Sequence, residues 1–80
     1  MEITVKYFGI IADITQKMEE VFFIADESNT LKSLQSKIEM KYPKILVINY
    51  SIAVNKKFLQ NDILLKNNDI IAFLPPFAGG

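Results

Sequence analysis

The run Ile70-Ile71-Ala72-Phe73-Leu74 limits the possible folds more than any other feature of this chain. Five apolar residues in a row are short for a buried helix. Turn residues bound them on both sides, Asn67-Asn68-Asp69 before and Pro75-Pro76 after, so the run reads as a strand. Ile70, Ala72 and Leu74 face one way, and Ile71 and Phe73 the other. A strand that is apolar on both faces belongs inside a sheet and not at its rim. The chain has 80 residues, room for one domain and one modest core, so the other elements must be arranged around this strand.

Those elements can be read in turn. Ile3 to Phe8 is a strand, with Ile3, Val5 and Tyr7 on one face. Gly9 breaks it, and Ile10, Ile11 and Ile14 suggest a short helical turn. Glu20 to Ala25 is a second strand. Thr30 to Met40 carries the main helix: Thr30 can cap it, and Leu31, Leu34 and Ile38 form one buried stripe. Lys37 and Lys41 lie toward its C-terminal end, where the helix dipole favours positive charge, and Pro43 stops it. Ser51 to Asn55 is a third strand with Ile52 and Val54 inward. Asn55-Lys56 turns the chain into Lys57-Phe58-Leu59, and Leu64 and Leu65 add core contacts.

The simplest solution is an α+β domain over residues 1–74, a mixed sheet packed on one main helix with the first and last strands side by side at its centre. A single helix covers a single face. The other face would carry Phe8, Phe73 or their neighbours as an exposed apolar contact surface, unless the helical turn near Ile11 and the segment Ile45 to Ile48 fold across it.

Composition removes many functions. Nine Lys balance nine Asp and Glu, and the chain has no Arg, so the net charge offers nucleic acid no bulk attraction. The charges are unevenly spread, acidic from Asp13 to Glu27 and basic from Lys32 to Lys57; this reads as solvated surface or as a polarised face that orients a partner. With neither Cys nor His, disulfides, thiol nucleophiles and zinc sites of nitrogen or sulfur ligands are excluded, and no metal site is expected. No segment has the pattern of a signal peptide or a membrane span. The expectation is a soluble cytoplasmic protein that engages neither membrane nor nucleic acid.

The chemistry then falls to the end of the chain, residues 75–80. Two of the three Gly are Gly79 and Gly80, and two of the three Pro are Pro75 and Pro76. At an average usage of about 7%, two terminal Gly arise by chance about once in 200 chains, so the pair alone says little. Its setting says more. Pro75-Pro76 ends the sheet ladder for want of N–H groups and stiffens the exit. Phe77 is bulky, and Ala78, Gly79 and Gly80 are progressively slimmer. Such an extended tail with a flexible Gly-Gly end can thread a narrow channel and present one group, the α-carboxylate of Gly80. A carboxylate is inert toward nucleophiles until activated. Joined to AMP it becomes susceptible to sulfide or persulfide attack, and Gly80 has no side chain to hinder that attack.

The ending Ala72-Phe73-Leu74-Pro75-Pro76-Phe77-Ala78-Gly79-Gly80 closely resembles that of the small subunits of molybdopterin synthase, which are ubiquitin-like sulfur carriers. The likeness includes Tyr7-Phe8-Gly9, Thr30-Leu31 at the helix start, Val54-Asn55, and Asn68-Asp69, where Asn68 stands in place of the usual Gly. The resemblance implies a β-grasp fold. It also implies that Gly80 is adenylated by an E1-like, ATP-dependent enzyme and carries sulfur from a donor as a C-terminal thiocarboxylate, with no cofactor bound. The chain would be the non-catalytic, sulfur-donating subunit of a sulfurtransferase. Its tail would enter the large synthase subunit of a heterotetramer and pass sulfur to cyclic pyranopterin monophosphate for the molybdopterin dithiolene. Gly80 and Gly79 are the expected reacting end. Phe8, Phe73, Pro75, Pro76, Phe77 and Ala78 are the expected partner contacts.

The tail alone leaves other readings open: a sulfur carrier for the thiazole of thiamine or for tRNA thiolation, a covalent protein tag joined through Gly80, or a plain interaction domain. The Pro75-Pro76-Phe77 stem and the Gly9-to-Lys17 insertion favour molybdopterin.

Overall fold

The computed structural model describes residues 1–59 and 61–76. Its elements run β1 (Glu2–Tyr7), α1 (Gly9–Thr15), β2 (Glu19–Phe23), a 3₁₀ turn (Asp26–Ser28), α2 (Leu31–Lys41), a second 3₁₀ turn (Pro43–Val47), β3 (Ser51–Val54), β4 (Lys57–Phe58) and β5 (Ile70–Leu74). The sheet order is β2-β1-β5-β3-β4. β5 is therefore central, as its double apolar face requires, and it runs parallel to β1 with Thr4 beside Ile70 and Tyr7 beside Phe73. All other pairings are antiparallel.

The main helix starts where its cap predicts. Thr30 Oγ1 accepts a hydrogen bond from Ser33 N–H at 3.1 Å, a bond whose loss costs about 1 kcal/mol. Lys32 N–H, another of the first-turn donors left without a helical partner, donates to Asp62 Oδ1 at 2.9 Å. Leu31, Leu34 and Ile38 are buried and meet Ile3, Val5 and Tyr7 of β1 with Ile71 and Phe73 of β5 in one core.

Ile11 of α1 and Ile45 of the second 3₁₀ turn are fully buried in that same core. They plug the helix side of the sheet and do not fold across its other face. Of the two arrangements open in the sequence, the exposed sheet face is the one that forms.

Two expectations are corrected. Phe73 does not lie on the open face. Strand alternation puts it with Tyr7 on the helix side, where it is 0% exposed, edge-on to Tyr7 at 6.0 Å and stacked on Tyr50 at 4.9 Å between ring centroids. Leu64 is not a core residue. Its backbone is tied in a bridge to Thr30, which turns the side chain to solvent at 67% exposure while Leu65 takes the buried place. β2 is also less enclosed than its composition suggests: it is an edge strand, and Val21 and Phe23 face solvent.

Candidate functional site

β5 ends at Leu74, and the chain leaves the sheet through Pro75, partly buried, and Pro76, exposed. The exit is held from the side by the turn between β1 and α1. Phe8 N–H donates to the Phe73 carbonyl at 3.3 Å, continuing the parallel pairing one residue past β1. Gly9 then turns the chain at φ +54°, a left-handed conformation that glycine adopts without a Cβ penalty. The open side of Gly9 faces the Pro75 ring: a Cβ built there would stand 2.8 Å from Pro75 Cγ. Phe8 and Pro75 thus come together at one end of the sheet, and Pro76 follows directly. Phe77, Ala78, Gly79 and Gly80 lie outside the described residues.

The open face of the sheet leads to this exit. Its side chains fall in rows fixed by register: Phe23 beside Glu2, then Val21, Thr4 and Ile70, then Glu19, Lys6, Ala72, Ala53 and Phe58, then Leu74 beside Ser51. Phe23 is 75% exposed and Phe58 63%, and Val21, Ile70 and Phe8 are each about half-buried. An apolar surface crossed by Lys6 and Glu19 suits protein contact better than a small-molecule site. The sequence points to Phe8 here but not to Phe23, Val21, Ile70 or Phe58, although the alternation of Val21 and Phe23 in an edge strand signals the face.

A strongly perturbed carboxylate secures the edge of the sheet. Glu20 on β2 points to the covered side, where its carboxylate accepts hydrogen bonds from Tyr7 Oη at 3.0 Å, Tyr42 Oη at 2.9 Å and Lys17 Nζ at 3.1 Å, and from Lys41 Nζ as well. Burial by itself would raise its pKa. The donors Lys41, Tyr42, Lys17 and Tyr7 together outweigh burial and hold the carboxyl at about 2. The same burial, with Glu20 alongside, pushes the Tyr7 phenol far above its ordinary range. Tyr50 is raised too, by burial and by its bond to Glu39. These groups join β1, β2, α2 and the start of β3. Among the described residues, no three His, Cys, Asp or Glu side chains are grouped to hold a metal ion, and no helix is long and apolar enough to cross a membrane.

A domain of this shape, with its last central strand running out into a Pro-Pro stem, can be compared with known proteins. The pattern that defines the ThiS family matches residues 5–80. The chain belongs to the ThiS family. This is a family of small ubiquitin-like sulfur carriers, and the fold is their β-grasp. Molybdopterin converting factor subunit 1 from Pyrococcus furiosus superposes with a TM-score of 0.85 at 23% identity, over 96% of this chain and 99% of that one. SAMP1 from Haloferax volcanii gives 0.83 at 14% identity, with both chains fully covered. A third structure, the complex of subunits 1 and 2 of molybdopterin-converting factor from Helicobacter pylori, gives 0.75 at 28% identity, again over the full length of both chains.

Proposed function

We propose that this chain is the sulfur-carrying small subunit of a molybdopterin synthase. The observation that carries the reading is the exit of the chain. A central strand, held on both sides by β1 and β3, delivers a stiff Pro75-Pro76 stem beside an exposed apolar face, and the sequence beyond it tapers to Gly79-Gly80. The Helicobacter pylori complex adds support, since that similar chain is seen together with subunit 2.

In this reading the open face docks on the large subunit and on an E1-like activating enzyme in turn, and the tail does the chemistry. A Gly80 carboxylate oxygen attacks the α-phosphorus of ATP, and pyrophosphate leaves. Sulfide-level sulfur then attacks the carbonyl carbon, AMP leaves, and a thiocarboxylate remains. The large subunit supplies the pterin site and the acid–base groups, and the thiocarboxylate supplies sulfur to the pyranopterin. The domain contributes a rigid base and a docking face. Reconstitution tests this: thiocarboxylated protein with the cognate large subunit should convert the pyranopterin precursor to molybdopterin. Failure of a competent large subunit to use it rejects the acceptor.

The likeness to SAMP1, a small archaeal modifier protein, favours a second reading, attachment of Gly80 to lysines as a covalent tag. Conjugates in cell extract that survive boiling and reductant would support it.

A further inference from the structure

We propose that Gly9 is a positioning residue for the C-terminal tail: its missing side chain lets the Pro75 ring seat on the turn between β1 and α1, and this seat sets the direction in which the chain leaves the domain. The consequence for delivery of Gly80 rests on the carrier reading above, whereas the directional claim stands on geometry alone.

Two properties of Gly9 can be separated. One is its backbone, at φ +54°. A turn of this kind is open to Asn as well as Gly, and the same chain places Asn55 at φ 49° and Asn68 at φ 71°. The backbone alone therefore does not call for glycine. The second property is proximity. The Cβ of any other residue would meet Pro75 Cγ at 2.8 Å, while Pro75 Cβ and Cδ would both lie at 3.8 Å, an ordinary contact. The conflict is with one atom, Cγ, which the proline ring holds in place.

The two segments are locked elsewhere. Tyr7 is paired with Phe73 in the β1–β5 ladder, and Phe8 N–H holds the Phe73 carbonyl. Ile11, two residues past Gly9, is fully buried. With β1, α1 and β5 fixed, a side chain at position 9 is accommodated by moving Pro75, the first residue beyond the sheet. A change of direction there is carried outward by a stem that spans at most about 3.3–3.6 Å per residue. For a group delivered into another protein's site, misplacement by about 1 Å can cost about a hundredfold in rate.

Gly9→Asn tests this, because Asn keeps the left-handed turn and adds the Cβ. Pro75→Ala removes Cγ and keeps Cβ, so the double variant relieves the contact. The chain has no cysteine, so spin labels can be placed at cysteines substituted for Ala78 and for exposed Lys37 on α2. Gly9→Asn should shift the mean label distance, since Pro75 Cγ must withdraw from 2.8 Å to an ordinary contact. In the Pro75→Ala background it should cause no further shift. With the cognate activating enzyme, the same substitution should lower kcat for adenylation about tenfold or more with KM little changed, and the loss should vanish in the Pro75→Ala background. In the unaltered protein, nuclear Overhauser contacts from Gly9 Hα to the Pro75 ring protons should be present whether or not any variant folds. Absence of those contacts overturns the proposal, as does an unmoved label distance or an equal shift in both backgrounds. If the distances behave as described but no form of the protein is adenylated, the carrier reading fails and the positioning role of Gly9 stands.

Discussion

Tyr7 Oη donates a 3.0 Å hydrogen bond to Glu20, joining a central strand to an edge strand at the point where the C-terminal end of α2 brings Tyr42 and Lys41 to the same carboxylate. The group is accessible to titration in a defined window. Its folded pKa, about 2, lies below the ordinary value of 4.5, so the carboxylate stabilises the fold above the ordinary value, and that contribution is lost as pH falls through about 2. Glu20→Gln should therefore cost on the order of 2 kcal/mol at pH 7, less than the full shift implies because Lys17 and Lys41 are exposed and screened. Denaturant titrations of both proteins between pH 7 and pH 2 check this. Their stabilities should converge below the ordinary value, and a constant gap would assign the loss to packing instead.

A second polar link closes the opposite end of β5. Asn55 Nδ2 donates to Asp69 Oδ1 at 2.9 Å, and Asn55 Oδ1 accepts from Ile70 N–H, also at 2.9 Å. Asp69 is buried and accepts from Lys66 N–H as well. Asn55→Ala should destabilise by about 1–3 kcal/mol, because it leaves an acceptor and a donor short of partners and places Ala at φ 49°. Thermal unfolding measures it. Asn55→Gly, which restores the backbone freedom and not the amide, should recover only part of the loss.

The two faces of the sheet should respond in opposite ways. Phe73→Ala removes a fully buried ring and should cost about 3–5 kcal/mol in stability. Phe23→Lys and Ile70→Lys lie on the open face; the first should change stability by about 0.5 kcal/mol or less, and the second, half-buried on the central strand, by about 1 kcal/mol. Under the proposed function these two should weaken binding to the large subunit about tenfold or more, about 1.4 kcal/mol. Calorimetric titration beside thermal unfolding separates the effects. A Phe23→Lys protein that binds normally would remove the open face from the interface.

Much of this architecture is legible in the sequence because it follows from period and parity. The alternation Ile3, Val5, Tyr7 and the stripe Leu31, Leu34, Ile38 name the core residues, and the double apolar face of Ile70 to Leu74 places β5 at the centre. Parity within β5 was readable, but which of its faces met the helix was not. That depends on register with β1, where Phe73 lies beside Tyr7. Leu64 misleads because its exposure is decided by a backbone bridge to Thr30, 34 residues away in sequence. The Glu20 cluster draws on Tyr7, Lys17, Lys41 and Tyr42, a grouping that only tertiary structure brings about. The Gly79-Gly80 end was the strongest functional signal in the sequence and lies outside the described residues, so its role rests on chemistry and family membership.

Activation of that end is the central claim, and intact mass measures it most directly. The full chain, incubated with ATP, its cognate activating enzyme and a sulfur donor, should gain the mass of one oxygen replaced by one sulfur, confined to the C-terminal peptide and absent from a folded protein lacking Gly80. A wild-type chain that stays unchanged beside an activating enzyme shown to be competent, or a gain that persists without Gly80, would contradict the account.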